Sequence, residues 1–117
     1  MTPLKWAKCE HGTWCALQSV DLRNIKTTGV YVIWHGGAPG RVVCVGHGDI
    51  ASQLRDCLND ASVLAYQVMG TLFVTWASVS SSQREGVARY LTDMWHPLLG
   101  DGGVTSAPVP VYSPFAA

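Results

Sequence analysis

The chain carries little charge and no surplus of either sign. It has 8 Lys and Arg against 8 Asp and Glu, and charged residues make up 14% of its 117 positions. Affinity for nucleic acid comes largely from Lys and Arg meeting phosphates, so this composition supplies no overall attraction to a polyanion. No basic run concentrates one locally either. Long apolar runs are missing too. None reaches the ~18 residues of a membrane-spanning helix, and the amino terminus lacks an apolar signal region. These absences imply a cytoplasmic chain with no membrane partner. The four Cys, at 9, 15, 44 and 57, include no Cys-x-x-Cys pair. In a reducing compartment all four are expected as thiols, with Cys44 and Cys57 packing as small hydrophobes. Internal repeats and low-complexity tracts are absent.

What is present is enough for one packed domain. Hydrophobic residues make up 48% of the chain and there are five Trp. The stretch from Gly29 to Leu58, GVYVIWHGGAPGRVVCVGHGDIASQLRDCL, organises the rest. Gly29–Trp34 is β-branched and aromatic and reads as a strand. His35–Gly40 brings Gly-Gly-Ala-Pro-Gly, residues that turn a chain. Arg41–Gly46 is a second apolar run, so the two runs make a β-hairpin. Beyond Gly48 the period becomes helical, with Ile50, Leu54, Cys57 and Leu58 on one face and Asp49 placed as the cap.

The flanks are less regular. Residues 1–28 read as a covering segment in which Trp6, Trp14 and Leu17 close one end of the sheet and Val20–Ile25 makes a short helical turn. Cys9, Glu10, His11 and Cys15 are metal-capable, but structural zinc wants four ligands in paired short spacings, and only three soft ligands lie here. Zinc and a plain covering segment both stay open. Asn59–Gly70 is an irregular connection, and Thr71–Val79 is a third strand. Ser82-Gln83-Arg84-Glu85 fits a capping box that opens a second helix. Val87, Leu91, Met94, Trp95 and Leu98 form its buried stripe, and His96 and Pro97 end it. Residues 100–117, rich in Gly, Pro and Ser, read as an irregular tail. The expected architecture is α+β: a small three-stranded, mainly antiparallel sheet flanked by helices, within a domain spanning 29–99.

Strand, turn, strand, glycine and helix in that order, with Gly29-Val30-Tyr31 on the first strand and Cys44-Val45-Gly46 ending the second, resemble the GIY-YIG nuclease family. The resemblance covers residues 29–99. It implies a scaffold for metal-dependent hydrolysis of DNA phosphodiesters, usually with Mg²⁺. In such enzymes a later-helix glutamate holds the metal, tyrosines help activate water, and a helix arginine stabilises charge on phosphate. A hard cation wants carboxylate oxygens, and a transition state gathering negative charge wants a cation aimed at it. Carried over residue by residue, Tyr31 keeps the first tyrosine and Gly46 the glycine. Cys44 stands at the second tyrosine, Gln53 at the arginine, Cys57 where many members place a histidine, and Ala88 at the metal-holding glutamate. Arg55, two positions past Gln53 and about 200° around the helix, faces solvent. Tyr112 or Ser113 falls near the asparagine that often closes the family pattern.

The resemblance therefore implies a retained frame with weak or no hydrolysis. The chain would act by binding DNA weakly, or an unknown protein, with no cofactor expected and Mg²⁺ only if it is active. A divergent active nuclease built on Tyr31, His47 and Glu85, with Glu85 as metal ligand, is one alternative. A protein-interaction domain with no nucleic-acid role is the other.

Overall fold

The structure is a computed structural model that describes residues 2–100 and 106–115. Its strands are β1 (Cys15–Ala16), β2 (Thr28–His35), β3 (Arg41–Asp49) and β4 (Leu72–Ser78). Its α-helices are α1 (Ile50–Leu58), α2 (Ala61–Leu64) and α3 (Arg84–Trp95). The fold is α+β, and the sheet has four strands rather than three, ordered β1-β4-β2-β3 with every pair antiparallel. The extra strand comes from the amino-terminal segment. At two residues it is too short to carry the period-2 pattern by which strands are read.

β2 lies between β3 and β4, and both of its faces are covered. That is why it reads as an unbroken apolar run rather than an alternation. Tyr31 and Ile33 face a layer made by α1, α2 and the amino-terminal Leu17 and Ile25. Val30, Val32 and Trp34 face α3, through Val87, Ala88 and Leu91, together with Val111 of the tail. The residues before β1 and the tail are tied together: the Tyr112 N–H donates to the Thr2 carbonyl and the Trp6 indole N–H to the Tyr112 carbonyl. The tail thus supplies a core residue, Val111, as well as cover. Among the described residues no helix is long and apolar enough to cross a membrane.

Both outer edges of the sheet are partly occupied. At β4, β1 pairs with Phe73 and Val74, and the Ala7 N–H donates to the Trp76 carbonyl. At β3 a bulge interrupts the pairing opposite Ile33 and Trp34, and the carbonyls of Val42 and Val43 accept from the N–H groups of Leu98 and Leu99. Paired edges have fewer open backbone groups to offer a second sheet.

Several boundaries differ from the sequence reading for local reasons. β3 runs on to Asp49, because His47 and Gly48 continue to pair with Val30 and Gly29. Asp49 then caps α1 as expected, accepting from the Ser52 N–H at 3.1 Å. The segment after α1 is helical rather than irregular. Asp60 caps α2 by accepting from the Ser62 N–H, and a 3₁₀ helix over Ala65–Met69 follows directly. The capping box does not form. α3 begins at Arg84 behind Gln83, whose side chain caps nothing, while the Ser82 and Ser80 hydroxyls bond each other. Met94, placed on the buried stripe by its spacing, is 40% exposed. α3 stops where His96 turns left-handed at φ 46° ahead of Pro97, and the His96 N–H closes on the Thr92 carbonyl.

Cysteines 9 and 15 are not thiols. They form a disulfide that pins the turn at Glu10–Gly12 against β1, which removes both from the soft ligands a zinc site there would need. Cys44 and Cys57 are thiols, as expected.

Candidate functional site

The site is the Tyr31 face of the sheet beneath α1. Side chains alternate along a strand, so Tyr31 and Ile33 share that face with their register partners Gly46 and Cys44. The Tyr31 ring lies across Gly46. A Cβ built at position 46 would land on the Tyr31 hydroxyl, Cζ and Cε1, so the glycine leaves the room the ring occupies. α1 closes over the ring. Ile50 and Leu54 are fully buried in its core-facing stripe, and Cys57, one turn on, brings its sulfur to the phenol. The Cys57 thiol donates to the Tyr31 hydroxyl at 3.7 Å. Gly48, at φ +129°, makes the exit from β3, and the half-buried Gln53 side chain lies over it, with Nε2 3.4 Å from where a Cβ would stand.

Tyr31 is only 6% exposed. Burial pushes its ionisation well above the usual phenol range, and the charges of Cys57, Cys44 and Asp56 push the same way. At neutral pH this phenol can donate or accept a hydrogen bond but is no base. Cys44 and Cys57 lie in the same apolar cluster as Tyr31. The neighbouring Cys57 side chain and burial raise the Cys44 thiol, with the charge of Asp60 adding to the rise. Cys57 falls to about 7, because the neighbouring polar atoms of Cys44 and then of Tyr31 favour its thiolate, against burial and the charges of Asp60 and Asp56.

Of the residues singled out by sequence, Tyr31, Cys44, Gly46, Gln53 and Cys57 come together on this face. His47, Glu85 and Ala88 do not. His47 is the register partner of Val30, which points to the opposite face. Ala88 packs with Val30 and Val32 in the α3 layer, on the far side of the sheet from Tyr31. Glu85, in the first turn of α3, accepts from the Ser106 hydroxyl at 2.9 Å. Arg55 is exposed, as its spacing required.

A second feature lies at the outer edge of β4. Lys5, Trp6, Ala7, Lys8, Thr27, Trp76, Ala77 and Ser78 line a groove of about 450 Å³. Lys5 and Lys8 are exposed, and the Lys8 ammonium sits 4.7 Å from the centre of the Trp14 ring. Sequence reasoning missed this groove because its parts come from three separated segments. The signal was there in Lys5-Trp6-Ala7-Lys8, two cations flanking an aromatic residue. Among the described residues no group of three or more His, Cys, Asp or Glu is placed to hold a metal ion. Compared with known protein families, curated proteins and solved structures, the chain matches none.

Proposed function

We propose that this chain is a GIY-YIG nuclease-like domain that binds nucleic acid without cutting it. Two observations support the frame. A hairpin, a helix, a further strand and a helix follow in the expected order, and the tyrosine and glycine of the two tripeptides are direct partners across the hairpin. The inactivity rests on one observation: the Tyr31 hydroxyl is buried beneath α1 against Cys57, where hydrolysis needs it open to a cation and water. The donors around it do not fit Mg²⁺. They are two thiols and the Gln53 amide, whereas a hard cation wants several carboxylate oxygens. Asp56 and Asp60 are exposed, and Asp60 is engaged in capping α2. The slot assigned to the metal-holding glutamate, Ala88, is in the other layer.

Purified protein incubated with plasmid DNA and Mg²⁺ or Mn²⁺ leaves the supercoiled form intact. Robust metal-dependent nicking that Tyr31→Phe abolishes would overturn the reading.

Binding falls to the Lys5–Lys8 groove, where the exposed Lys5 and Lys8 ammonium groups meet phosphates beside the half-buried Trp6 and Trp76 that line it. In fluorescence anisotropy, a labelled single-stranded DNA binds weakly and dissociates as salt rises. The Lys5→Glu, Lys8→Glu double variant lowers the slope of log affinity against log salt by roughly 1.4, at about 0.7 for each phosphate no longer neutralised. No binding even at low salt would leave the protein-interaction reading in its place.

A further inference from the structure

Neither the Tyr31 face nor the Lys5–Lys8 groove uses the pocket over Trp34, on the α3 side of the sheet. We propose that this pocket binds a small flat aromatic acid, independently of any nucleic-acid binding. The ligand's ring lies among Trp34, Trp95 and Phe115, and its carboxylate meets Arg41.

Trp34, Gly40, Arg41, Val42, Trp95 and Phe115 line a space of about 370 Å³. Small-molecule sites are of this order of size, mostly apolar, with a few polar groups that fix orientation. Trp34 and Val42 are almost closed off and make the base of the pocket. Trp95 is half-buried and Phe115 is exposed, so both keep ring surface that a ligand can cover. The rings are not parallel. Phe115 meets Trp34 at 4.7 Å with the planes 83° apart, and Trp95 at 5.4 Å with the planes 53° apart. Rings set at such angles offer an incoming ring both a face and an edge, the two contacts that aromatic pairs favour.

Charge selects among flat ligands. Aromatic walls alone would also suit an organic cation, because ring faces attract positive charge. Arg41 opposes that choice, since it is the one charged residue lining the pocket. Its side chain is exposed and makes no hydrogen bond or ion pair among the described residues. A guanidinium is a planar fork of N–H donors that fits a carboxylate with two bonds. Arg41 is also well mounted. It is the first residue of β3, next to Val42 of the pocket base, and its backbone is paired with His35. A neutral arene would leave the guanidinium unused, and an aliphatic acid would leave the ring surfaces unused.

The test uses the full chain and three probes with one ring system: naphthoate, naphthamide and naphthylmethylamine. Each is titrated at low salt by calorimetry, and the indole N–H signals of isotope-labelled protein are followed by nuclear magnetic resonance. Naphthoate is expected to bind saturably, more tightly than the amide, with the amine weakest. The Trp34 and Trp95 signals move and that of Trp76 does not. Arg41→Gln weakens naphthoate by roughly three- to fivefold, the size of an exposed ion pair, and leaves naphthamide unchanged. Phe115→Ala weakens both. The Lys5→Glu, Lys8→Glu double variant binds naphthoate as the wild type does. The proposal fails if naphthoate does not saturate, if the amine binds as tightly as the acid, or if Arg41→Gln changes nothing. It fails equally if the lysine variant loses the binding instead, which would put the acid in the groove at β4. The ranking and the indole shifts of the wild type decide the matter even where a variant folds poorly.

Discussion

Trp34→Ala lowers the free energy of unfolding by about 3–5 kcal/mol, the range for truncating a buried large aromatic residue. Trp34 is the hub of the α3 face. Its ring meets Phe115 at 4.7 Å and Trp14 at 5.3 Å, both edge-on, and stacks on Phe73 at 5.7 Å. These arrangements match the quadrupoles of the rings, each pair adding about 0.5–1.5 kcal/mol beyond the area it buries. The three partners come from three places: the residues before β1, β4 and the tail. Removing the indole therefore unties both chain ends from the sheet as well as opening a cavity. Domains of this kind are stable by only about 5–15 kcal/mol in total, so the loss takes a large share. Urea unfolding followed by fluorescence and by far-ultraviolet circular dichroism measures it as a lower midpoint. A change under about 1 kcal/mol would mean that Trp14, Phe73 and Phe115 hold together without their hub.

The hairpin, α1 with its Asp49 cap, β4 and α3 could all be read from the residues, because each follows from local signals: a β-branched run, a Gly-Pro turn, a change of period, a stop at Pro97. Features that depend on distant partners gave no such signal. β1 exists because Phe73 and Val74 offer it an edge, and nothing in Cys15-Ala16 announces that. The Cys9–Cys15 disulfide was hidden because the spacing matches no familiar pair and because all four cysteines read as thiols of a reducing compartment. The capping box failed because the turn at Ser80–Gln83 closes on the Ser80 carbonyl, which accepts from the N–H groups of both Gln83 and Arg84.

The candidate site was legible for the same reason as the hairpin, in that Tyr31, Cys44 and Gly46 are placed by strand alternation alone. The position of Ala88 was not. A helix that follows a strand can lie on either face of a sheet, and spacing along the chain does not choose between them. The choice is made by Val87 and Leu91 burying against Val30 and Val32.

Gly46→Ala destabilises the chain by up to about 3 kcal/mol, and most of that loss is a collision with a single ring. The new Cβ falls on the hydroxyl and ring edge of Tyr31, which is buried under α1 and cannot swing aside. Tyr31→Leu, which removes the ring, therefore relieves Gly46→Ala. In a double-mutant cycle the two substitutions cost less together than separately, with a coupling of about 0.5–3 kcal/mol. A second readout follows the phenol itself. Pushing the ring out of place in Gly46→Ala separates its hydroxyl from Cys57 and so removes one of the influences that lower the Cys57 thiol. The pH at which Cys57 alkylation accelerates then rises from about 7 toward the 9.0 of an unassisted thiol. Additive costs with an unmoved alkylation profile would mean that the ring relaxes freely and that this geometry does not govern Cys57. The same reasoning bears on Gly29. A Cβ there would strike the Ala77 carbonyl at the end of β4 and the Val79 nitrogen just beyond it, so that glycine is fixed by the approach of the neighbouring backbone. Gly29, Tyr31 and Gly46 thus each have a packing reason to be what they are. A frame held in that way does not depend on the polar groups around it, so the chemistry of this face can change without changing the fold.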